Sequence, residues 1–225
     1  MRLLDGIRVL DFTTLLPGPL ATLLLAEAGA EIIKIERPEI GDEMRLYRPR
    51  FGADSVNFAL LNRGKRSIAI DLKAPGAIAR LRPLIDSADV IVEQFRPGVM
   101  ERLGLGWEQL SALNPRLVYC AITGYGQDGP KAQMAAHDLN YLAHTGLLSL
   151  AAAANGAPVV PPALIADIGA GAYPAVINIL LGLAQRNRTG KGCRVDVSMT
   201  DNLFTFEYWA IGNGLRCWRL AAARG

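Results

Sequence analysis

The segment IRVLDFTTLLPGPLATLLLAEAGAEIIKIE (residues 7–36) contains the pattern from which the architecture follows. Residues 7–12 are an apolar run rich in strand formers, and the TTLLPGP sequence after it is typical of a turn. Residues 19–28 have the composition of a helix that begins with proline and ends at Gly29, and AEIIKIE then predicts a second strand. Two strands joined by a helix within about 30 residues form a βαβ unit, whose strands are parallel.

The alternation of strands and helices continues along the chain. Further strands are predicted over SIAIDL (67–72), DVIVEQF (89–95), LVYCAIT (117–123) and CRVDVSM (193–199), and helices over PGAIARLRPLIDSA (75–88) and WEQLSALNP (107–115). We therefore predict an α/β protein with an open, mostly parallel, Rossmann-like sheet and flanking helices. No G-x-G-x-x-G motif follows the first strand, so no motif indicates a dinucleotide.

Three loops each follow a predicted strand, at residues 13–18, 94–98 and 124–133. In open α/β sheets, ligands bind beyond the carboxyl ends of the strands. We therefore expect these three loops to converge on one site.

Composition excludes several classes of protein. The chain has 225 residues, 51% of them hydrophobic, which is enough for one large core or two small domains. A net charge of only +3 indicates no nucleic-acid partner. Cys120, Cys193 and Cys217 form no C-x-x-C pair, which favours a reducing compartment, and with only His137 and His144 no metal site of the usual spacing is visible.

Export and membrane insertion are not expected either. Asp5 and Asp11 interrupt the N-terminal apolar run, which is wrong for a secretory signal. The most apolar later segment, residues 142–184, is broken by prolines, asparagines and Asp167, so we expect no membrane span. The sequence predicts a soluble, cytoplasmic protein.

The segment at residues 36–67 predicts a loop with many cations. It contains seven basic residues among glycines and prolines: Arg37, Arg45, Arg48, Arg50, Arg63, Lys65 and Arg66. One interpretation is a solvated basic loop, since charge runs usually face water. The other is a phosphate-binding segment, because arginine offers a two-pronged donor and lysine a point charge.

Two residues stand out as candidates for acid–base chemistry. His137 lies after the glycine-rich loop, and Asp167 follows 30 residues later (167 − 137) in an apolar setting. His144, seven residues after His137 (144 − 137), is a rival on about the same helix face, and Asp138 is a possible helix cap. Residues 168–187 predict a long buried helix with Asp167 as its cap, where the helix dipole would keep the carboxylate ionised.

Several separated motifs resemble the family III CoA-transferases. They are DGIRVLDFTTLLPGPLATLLLAEAGAEIIKIERP, NRGKRSIAIDLK, the segment from VIVEQFRPGVMERLGLG to AITGYGQDGP, and ADIGAGAYPAVINILLGL followed by GKGCRVDVSM. The resemblance extends in order over about residues 3–213. The HDLNY sequence after GYGQDGP is similar to the α-methylacyl-CoA racemase branch in particular.

The resemblance implies roles for His137 and Asp167. In racemases of the family, the matching positions are the two acid–base groups, so it implies a racemase or epimerase of 2-methyl-branched acyl-CoA thioesters. In transferases of the formyl-CoA or carnitine-CoA type, the matching aspartate attacks the thioester instead. We expect an enolate between His137 and Asp167, with the Gly169 and Ala170 amides as candidate donors to its oxygen.

The resemblance also implies which residues bind coenzyme A, which is part of the substrate, with no tightly bound cofactor besides. The matching positions are Leu15, Leu16, Pro17, Arg37, Leu72, Lys73, Gln94, Phe95, Arg96 and Arg102. This implication favours phosphate binding over a merely solvated basic segment.

The chain departs from the family at its C-terminus. Family members are longer, with a second, smaller domain, and racemases place a carboxylate partner of the histidine there. We expect residues 1–213 to be the first part of the large domain and residues 214–225 an atypical tail of a truncated or frameshifted product. The family implies an interlocked homodimer, which a chain without the second domain cannot close. A non-catalytic CoA-binding remnant is therefore the alternative to an enzyme.

Overall fold

A computed structural model describes residues 2–214, which form eight strands. They are β1 (Arg8–Asp11), β2 (Glu31–Glu36), β3 (Arg50–Phe51), β4 (Asp54–Ser55), β5 (Arg66–Ala69), β6 (Val90–Glu93), β7 (Val118–Thr123) and β8 (Cys193–Ser198). Six of them make one parallel sheet in the order β5-β2-β1-β6-β7-β8, and β3 and β4 make a separate antiparallel pair. The predicted tail lies, from residue 215 onward, outside the described residues.

Helices cover both faces of the sheet. They are α1 (Pro17–Glu27), α2 (Val56–Asn62), α3 (Ala77–Asp86), α4 (Val99–Arg102), α5 (Trp107–Leu113), α6 (Asp138–Thr145), α7 (Tyr173–Thr189) and α8 (Met199–Leu203). A π-helical turn, Ala166–Ala172, directly precedes α7. Short 3₁₀ turns lie at Glu43–Leu46, Leu147–Leu150 and Phe204–Glu207.

Alternation along the strands divides the interior into two cores. Val9 faces a core shared with α1 and α7, whereas its neighbour Leu10 faces a core shared with α3 and α5. The other central strands divide in the same way, because successive side chains of a strand point to opposite faces. The predicted α/β fold, a parallel sheet between two layers of helices, is thus confirmed.

The strand order places a crevice between β1 and β6. From β1 the chain adds β2 and β5 on one side, and β6, β7 and β8 follow on the other, so the direction of winding reverses between β1 and β6. Loops after strands diverge at such a point and leave room for a ligand. The loops that follow β1 and β6 were two of the three predicted to meet at one site.

The basic segment is not a loop throughout, contrary to our prediction. It contains the β3–β4 pair and helix α2, whose N-terminus is capped by the Ser55 hydroxyl, which accepts a hydrogen bond from the backbone N–H of Phe58 at 2.9 Å. The guanidinium of Arg45 lies 3.7 Å from the centre of the Phe58 ring, which ties α2 to the preceding turn. The Ser55 cap joins residues three apart in sequence, whereas the Arg45 contact joins residues 13 apart (58 − 45).

Two helix predictions also need correction. Helix α1 begins at Pro17 instead of Pro19. The helix predicted over residues 168–187 starts as the π turn, and the side of α7 that carries Ile177 and Leu181 is exposed. Glycine at position 171 allows close packing, because an added Cβ there would lie 3.0 Å from the Met199 sulfur and 3.1 Å from Pro17 Cβ.

The same helical segment has a membrane-like composition. Ala166–Thr189 is the one helix among residues 2–214 that is long and apolar enough to span a bilayer, and 44% of its most apolar window is buried in the fold. Core helices of folded domains share these properties, so the feature is weak evidence for a span.

Candidate active site

Three cavities meet near the carboxyl ends of β1 and β6. The central cavity, of about 350 Å³, is lined by both predicted acid–base residues, His137 and Asp167. It is also lined by five of the residues predicted to bind coenzyme A, namely Leu15, Pro17, Gln94, Phe95 and Arg96. The loops after β1, β6 and β7 all contribute to its wall, as predicted.

His137 is the N-cap residue of helix α6 and does not lie within an apolar helix. It has an extended backbone and is the residue before the first helical residue, and its backbone N–H donates to Oδ1 of Asn140 at 2.9 Å. The Tyr141 hydroxyl donates to the carbonyl of Ala136 at 3.0 Å, which anchors the preceding residue. Gly124 makes room for this tyrosine, since an added Cβ there would lie 2.3 Å from its ring.

The rival histidine is engaged elsewhere. Nδ1 of His144 lies 2.6 Å from the hydroxyl of Tyr125, with which it shares a hydrogen bond. His144 does not line the central cavity. The structure therefore separates the two histidines, which the helical period alone could not do.

Asp167 is the second residue of the π turn, so it is not the helix cap that we predicted. Burial, and to a smaller extent the nearby charge of Asp138, raise the pKa of its carboxyl to about 7. The expectation that the helix dipole keeps this group ionised is therefore wrong, because desolvation outweighs it. A carboxyl with a pKa near 7 can both donate and accept a proton close to neutral pH.

Asp138 has a position that the sequence did not reveal. Its side chain is buried, and its Oδ1 accepts a hydrogen bond from the backbone N–H of Asp167 at 2.9 Å. Burial raises the pKa of Asp138, and the backbone N–H groups of Asp167 and Ala166 oppose that shift. It thus caps the π turn and not its own helix, and adjacency to His137 was the only signal for it in the sequence.

A second cavity, the strand-end cleft, has a volume of about 620 Å³. It contains the other cationic residues predicted to bind coenzyme A, Arg37, Lys73 and Arg102, with Leu72 and Phe95. Lys73 and Arg102 are exposed, and within residues 2–214 no carboxylate lies within salt-bridge distance of either. Phe95 borders both this cleft and the central cavity, so the two spaces are neighbours.

A third cavity, the apolar cleft, has a volume of about 480 Å³ and opens beside the acid–base pair. His137 and Asp167 lie on its wall with Leu15 and Leu16. The rest of the wall is mostly aliphatic or aromatic: Met44, Tyr47, Asn57, Leu60, Leu61, Asp138, Leu164 and Ile168. No lysine or arginine is among the described residues that line it.

The comparison with known families agrees with this arrangement. The sequence matches the CoA-transferase family III over residues 4–217. The chain belongs to this family.

Relatives of the family III chain have different activities. It is 41% identical over 197 residues to human succinyl-CoA:glutarate CoA-transferase, covering 87% of this chain and 45% of that protein. It is 39% identical over 198 residues to human alpha-methylacyl-CoA racemase, covering 88% of this chain and 48% of that protein. The chain spans about half the length of these curated relatives.

A solved structure supports the fold of the family III chain. A CaiB/BaiF family protein from Brucella suis superposes with a TM-score of 0.88 at 35% identity, covering 94% of this chain and 57% of that one. The parallel sheet and its helices therefore belong to the family architecture, of which this chain represents one part.

Most cations of the basic segment have partners within the family III chain itself. Five of its seven basic residues form ion pairs with carboxylates: Arg37 with Glu43, Arg45 with Glu36 and Asp54, Arg63 with Glu27, Lys65 with Asp11, and Arg66 with Glu31. Lys65 is buried, with 2% of its side chain exposed, so it cannot reach a ligand. Five of the seven basic residues are exposed, as the solvated interpretation predicts, whereas Arg45 and Lys65 are held in ion pairs within the fold.

The predicted donors to the enolate oxygen are not at the site. Gly169 and Ala170 lie inside the π turn, and neither lines any of the three cavities. An added Cβ on Gly169 would lie 2.7 Å from the Phe206 ring, so this part of the turn packs against the C-terminal helices. Among residues 2–214, no group of three or more His, Cys, Asp or Glu side chains could hold a metal ion.

Proposed function

We propose that this chain carries the acid–base site of an acyl-CoA racemase or epimerase that acts on 2-methyl-branched acyl-CoA thioesters. The observation that carries the proposal is the presence of His137 and Asp167 in the wall of one cavity. Inverting a carbon next to a thioester requires that a proton leave one face and another proton arrive at the opposite face. A base and an acid on either side of that carbon perform this exchange.

The protonation of Asp167 supports this role. Its pKa of about 7 keeps both the acid and the carboxylate populated near neutral pH. In one direction the His137 imidazole accepts the α-proton, and the Asp167 carboxyl donates its own proton to the other face. In the reverse direction the carboxylate accepts and the imidazolium donates, so the pair returns to its starting state.

The enolate thioester between these groups needs a hydrogen-bond donor for its oxygen. In place of Gly169 and Ala170, we assign this task to the Asn140 side-chain amide, which lines the central cavity. Its Oδ1 accepts from the His137 backbone, which orients the amide and leaves its N–H groups to donate.

The strand-end cleft is the proposed site for the phosphates of coenzyme A. Lys73 and Arg102 supply cations there that have no carboxylate partner among the described residues, whereas Arg37 is paired with Glu43. Phosphates prefer such charged donors. Phe95 connects this cleft to the central cavity, where the thioester would lie. Coenzyme A thus enters as part of the substrate, and no tightly bound cofactor is part of the proposal.

The second candidate is CoA transfer, in which the Asp167 carboxylate attacks the thioester carbonyl. The names of relatives such as the human succinyl-CoA:glutarate CoA-transferase favour it. The apolar cleft favours the racemase over transfer to a dicarboxylate. A dicarboxylate in this cleft would place its free carboxylate near Asp138 and Asp167, and no lysine or arginine is among the described residues that line the cleft. A 2-methyl-branched hydrocarbon chain suits that wall better.

The activity is tested by incubation of the protein with a 2-methylacyl-CoA in heavy water. Deuterium at the α-carbon, detected by mass spectrometry, is expected for the racemase. If no deuterium enters, and a new thioester forms only when a free acid is added, the transferase replaces it. If calorimetry shows binding of coenzyme A without either reaction, the chain is a non-catalytic remnant, and absence of binding removes all three.

The cellular setting is part of the same proposal. We place the protein in the cytoplasm, with an acyl-CoA thioester as its partner and neither nucleic acid nor membrane. The family implies an interlocked homodimer, and this chain spans 45% of the length of the human succinyl-CoA:glutarate CoA-transferase. Size-exclusion chromatography with light scattering tests the assembly.

A further inference from the structure

The segment between β1 and α1 borders all three cavities. Thr14 lines the strand-end cleft, Leu15 lines the central cavity and the apolar cleft, and Leu16 lines the apolar cleft. Leu15 has a φ of +63°, in the left-handed region that residues other than glycine rarely adopt. Such a conformation persists only where surrounding contacts hold it, and these contacts are often part of a functional site.

A buried ion pair supplies those contacts. The carboxylate of Asp42, which is fully buried, accepts a hydrogen bond from the Leu15 backbone N–H at 3.1 Å. Its other oxygen lies 3.0 Å from the ammonium of Lys34, which is 1% exposed. The same ammonium donates to the backbone carbonyl of Thr13 at 2.6 Å, so the pair binds the loop on both sides of Thr14.

A second buried carboxylate holds the start of the loop. Asp11 accepts hydrogen bonds from the backbone N–H of Thr13 at 2.9 Å and from the hydroxyl of Thr22 at 2.6 Å. Lys65 lies 3.1 Å from Asp11 and balances its charge. Thr13 is therefore fixed from both its N–H and its carbonyl, and Leu15 is the point where the chain turns.

Burial of two charged pairs beside one short loop calls for a reason other than stability. Removal of charges from water is costly, and a buried ion pair is often no more stabilising than packed apolar residues. Here each charged group except Lys65 also binds the main chain of the same loop. These buried charges therefore stabilise the conformation of that loop.

We propose that the Lys34–Asp42 pair is a positioning device that holds Leu15 in its left-handed conformation and so shapes the wall shared by the three cavities. Asp42 also lines the strand-end cleft, and neither side chain contacts reacting atoms in this scheme. Without the pair, Leu15 relaxes toward negative φ, and the loop intrudes on the space between the strand-end cleft and the acid–base groups.

A double-mutant cycle tests the proposal in the full chain. Asp42→Ala, which removes both carboxylate oxygens, is made in the parent and in Leu15→Gly, because glycine adopts a positive φ without help. The lost contacts of Asp42 with Lys34 and with the Met44 backbone N–H, and the loss of its charge beside the strand-end cleft, are common to both backgrounds and cancel. We expect Asp42→Ala to weaken coenzyme A binding by about tenfold in the parent and by less than about threefold in Leu15→Gly, measured by calorimetry.

A conformational readout keeps this test independent of the proposed function. The ¹³C chemical shifts and the HN–Hα coupling of Leu15 report its φ whether or not coenzyme A binds. Asp42→Ala should move them away from the left-handed values, and Asp54→Ala, which removes a carboxylate paired with Arg45 in the same segment, should not.

Two results would overturn the proposal. One is an unchanged Leu15 conformation in Asp42→Ala, and the other is an equal loss of affinity in both backgrounds. If Asp42→Ala leaves Lys34 as a buried unpaired charge and fails to fold, the Lys34→Met/Asp42→Ala double variant removes both charges and carries the same expectations.

Discussion

The carboxylate of Asp138 accepts a hydrogen bond at 2.9 Å from the backbone N–H of Asp167, which joins the first turn of α6 to the π turn. His137 directly precedes Asp138, and the backbone of Asp167 donates the hydrogen bond to Asp138. One contact therefore sets the relative position of both proposed acid–base residues. The same contact places a second carboxyl close enough to raise the pKa of Asp167. Geometry and protonation at the site therefore depend on one buried side chain.

Asp138→Asn should lower the pKa of Asp167. The substitution removes a negative charge that raises this pKa and keeps an oxygen that can accept from the Asp167 N–H. Burial still raises the pKa above the value of a free aspartate, so the midpoint should fall below about 7 without a full return. Titration of the Asp167 carboxyl carbon by NMR measures it. Asp128→Asn, on the exposed loop, should leave the titration midpoint of Asp167 unchanged. An Asp167 midpoint in Asp138→Asn that equals or exceeds that of the parent would show that the Asp138 charge does not raise this pKa.

Asp167→Asn should change how stability depends on pH. The pKa of Asp167 is raised from 3.8 when unfolded to about 7 when folded, so between these values the folded protein binds more protons. Its free energy of unfolding therefore falls as pH rises from about 4 to about 7, and this contribution is constant above pH 7.

The size of this pH effect follows from the linkage between proton binding and folding. Each unit of pKa corresponds to about 1.4 kcal/mol, and partial exposure reduces the total to roughly 1–3 kcal/mol. Urea unfolding between pH 4 and 8 should give a flatter curve for Asp167→Asn than for the parent. Glu93, whose pKa is raised to about 8 by burial, is present in both proteins, so its contribution to the pH dependence of stability cancels in the comparison. Parallel curves would show that the Asp167 carboxyl is not desolvated.

His137→Asn should abolish most exchange of the α-proton in the epimer whose proton faces His137, whereas Asp167 still serves the other epimer. Loss of a positioned general base or acid typically slows a reaction by about 10²–10⁴-fold, and the asparagine preserves polarity without titrating. His144→Asn is the matched control, since that residue pairs with Tyr125 away from the central cavity, and it should change the rate by less than about threefold. Deuterium incorporation into a 2-methylacyl-CoA is the measurement. Equal losses of exchange rate in the two variants would show that the exchange depends on the fold in general and not on the His137 imidazole.

Lys73→Ala and Arg102→Ala should weaken coenzyme A binding. A charge-assisted hydrogen bond contributes about 1.5–3 kcal/mol, so each variant should lose about tenfold or more in affinity. Arg82→Ala, which removes a cation paired with Asp86 on α3, should bind like the parent. Pantetheine, which lacks the phosphates, separates the effects: its affinity should not change in either variant. A parallel loss for pantetheine would place the phosphates elsewhere.

Much of the fold could be predicted because its signals are local. Apolar strand-forming runs that alternate with helical segments indicated a parallel sheet, and Gly29 and the prolines of TTLLPGP marked where elements meet. Helix α2 was missed although Ser55 is a local cap signal, because its seven residues are too few to show a helical period and part of its stabilisation comes from the Arg45 contact with Phe58. The exposed side of α7 was missed because composition does not say which face is covered.

For the candidate site, the residue types were visible in the sequence and their states were not. The succession of strands and helices along the chain follows from local patterns, and His137, Asp167 and the cleft cations could be named from motifs, both of which depend on near neighbours. The capping contact of Asp138, the raised pKa of Asp167, the pairing of the basic segment and the left-handed Leu15 arise only when distant parts of the chain are packed together. Burial, and with it the cost of a charge, is a property of the folded chain as a whole, so no local pattern encodes it.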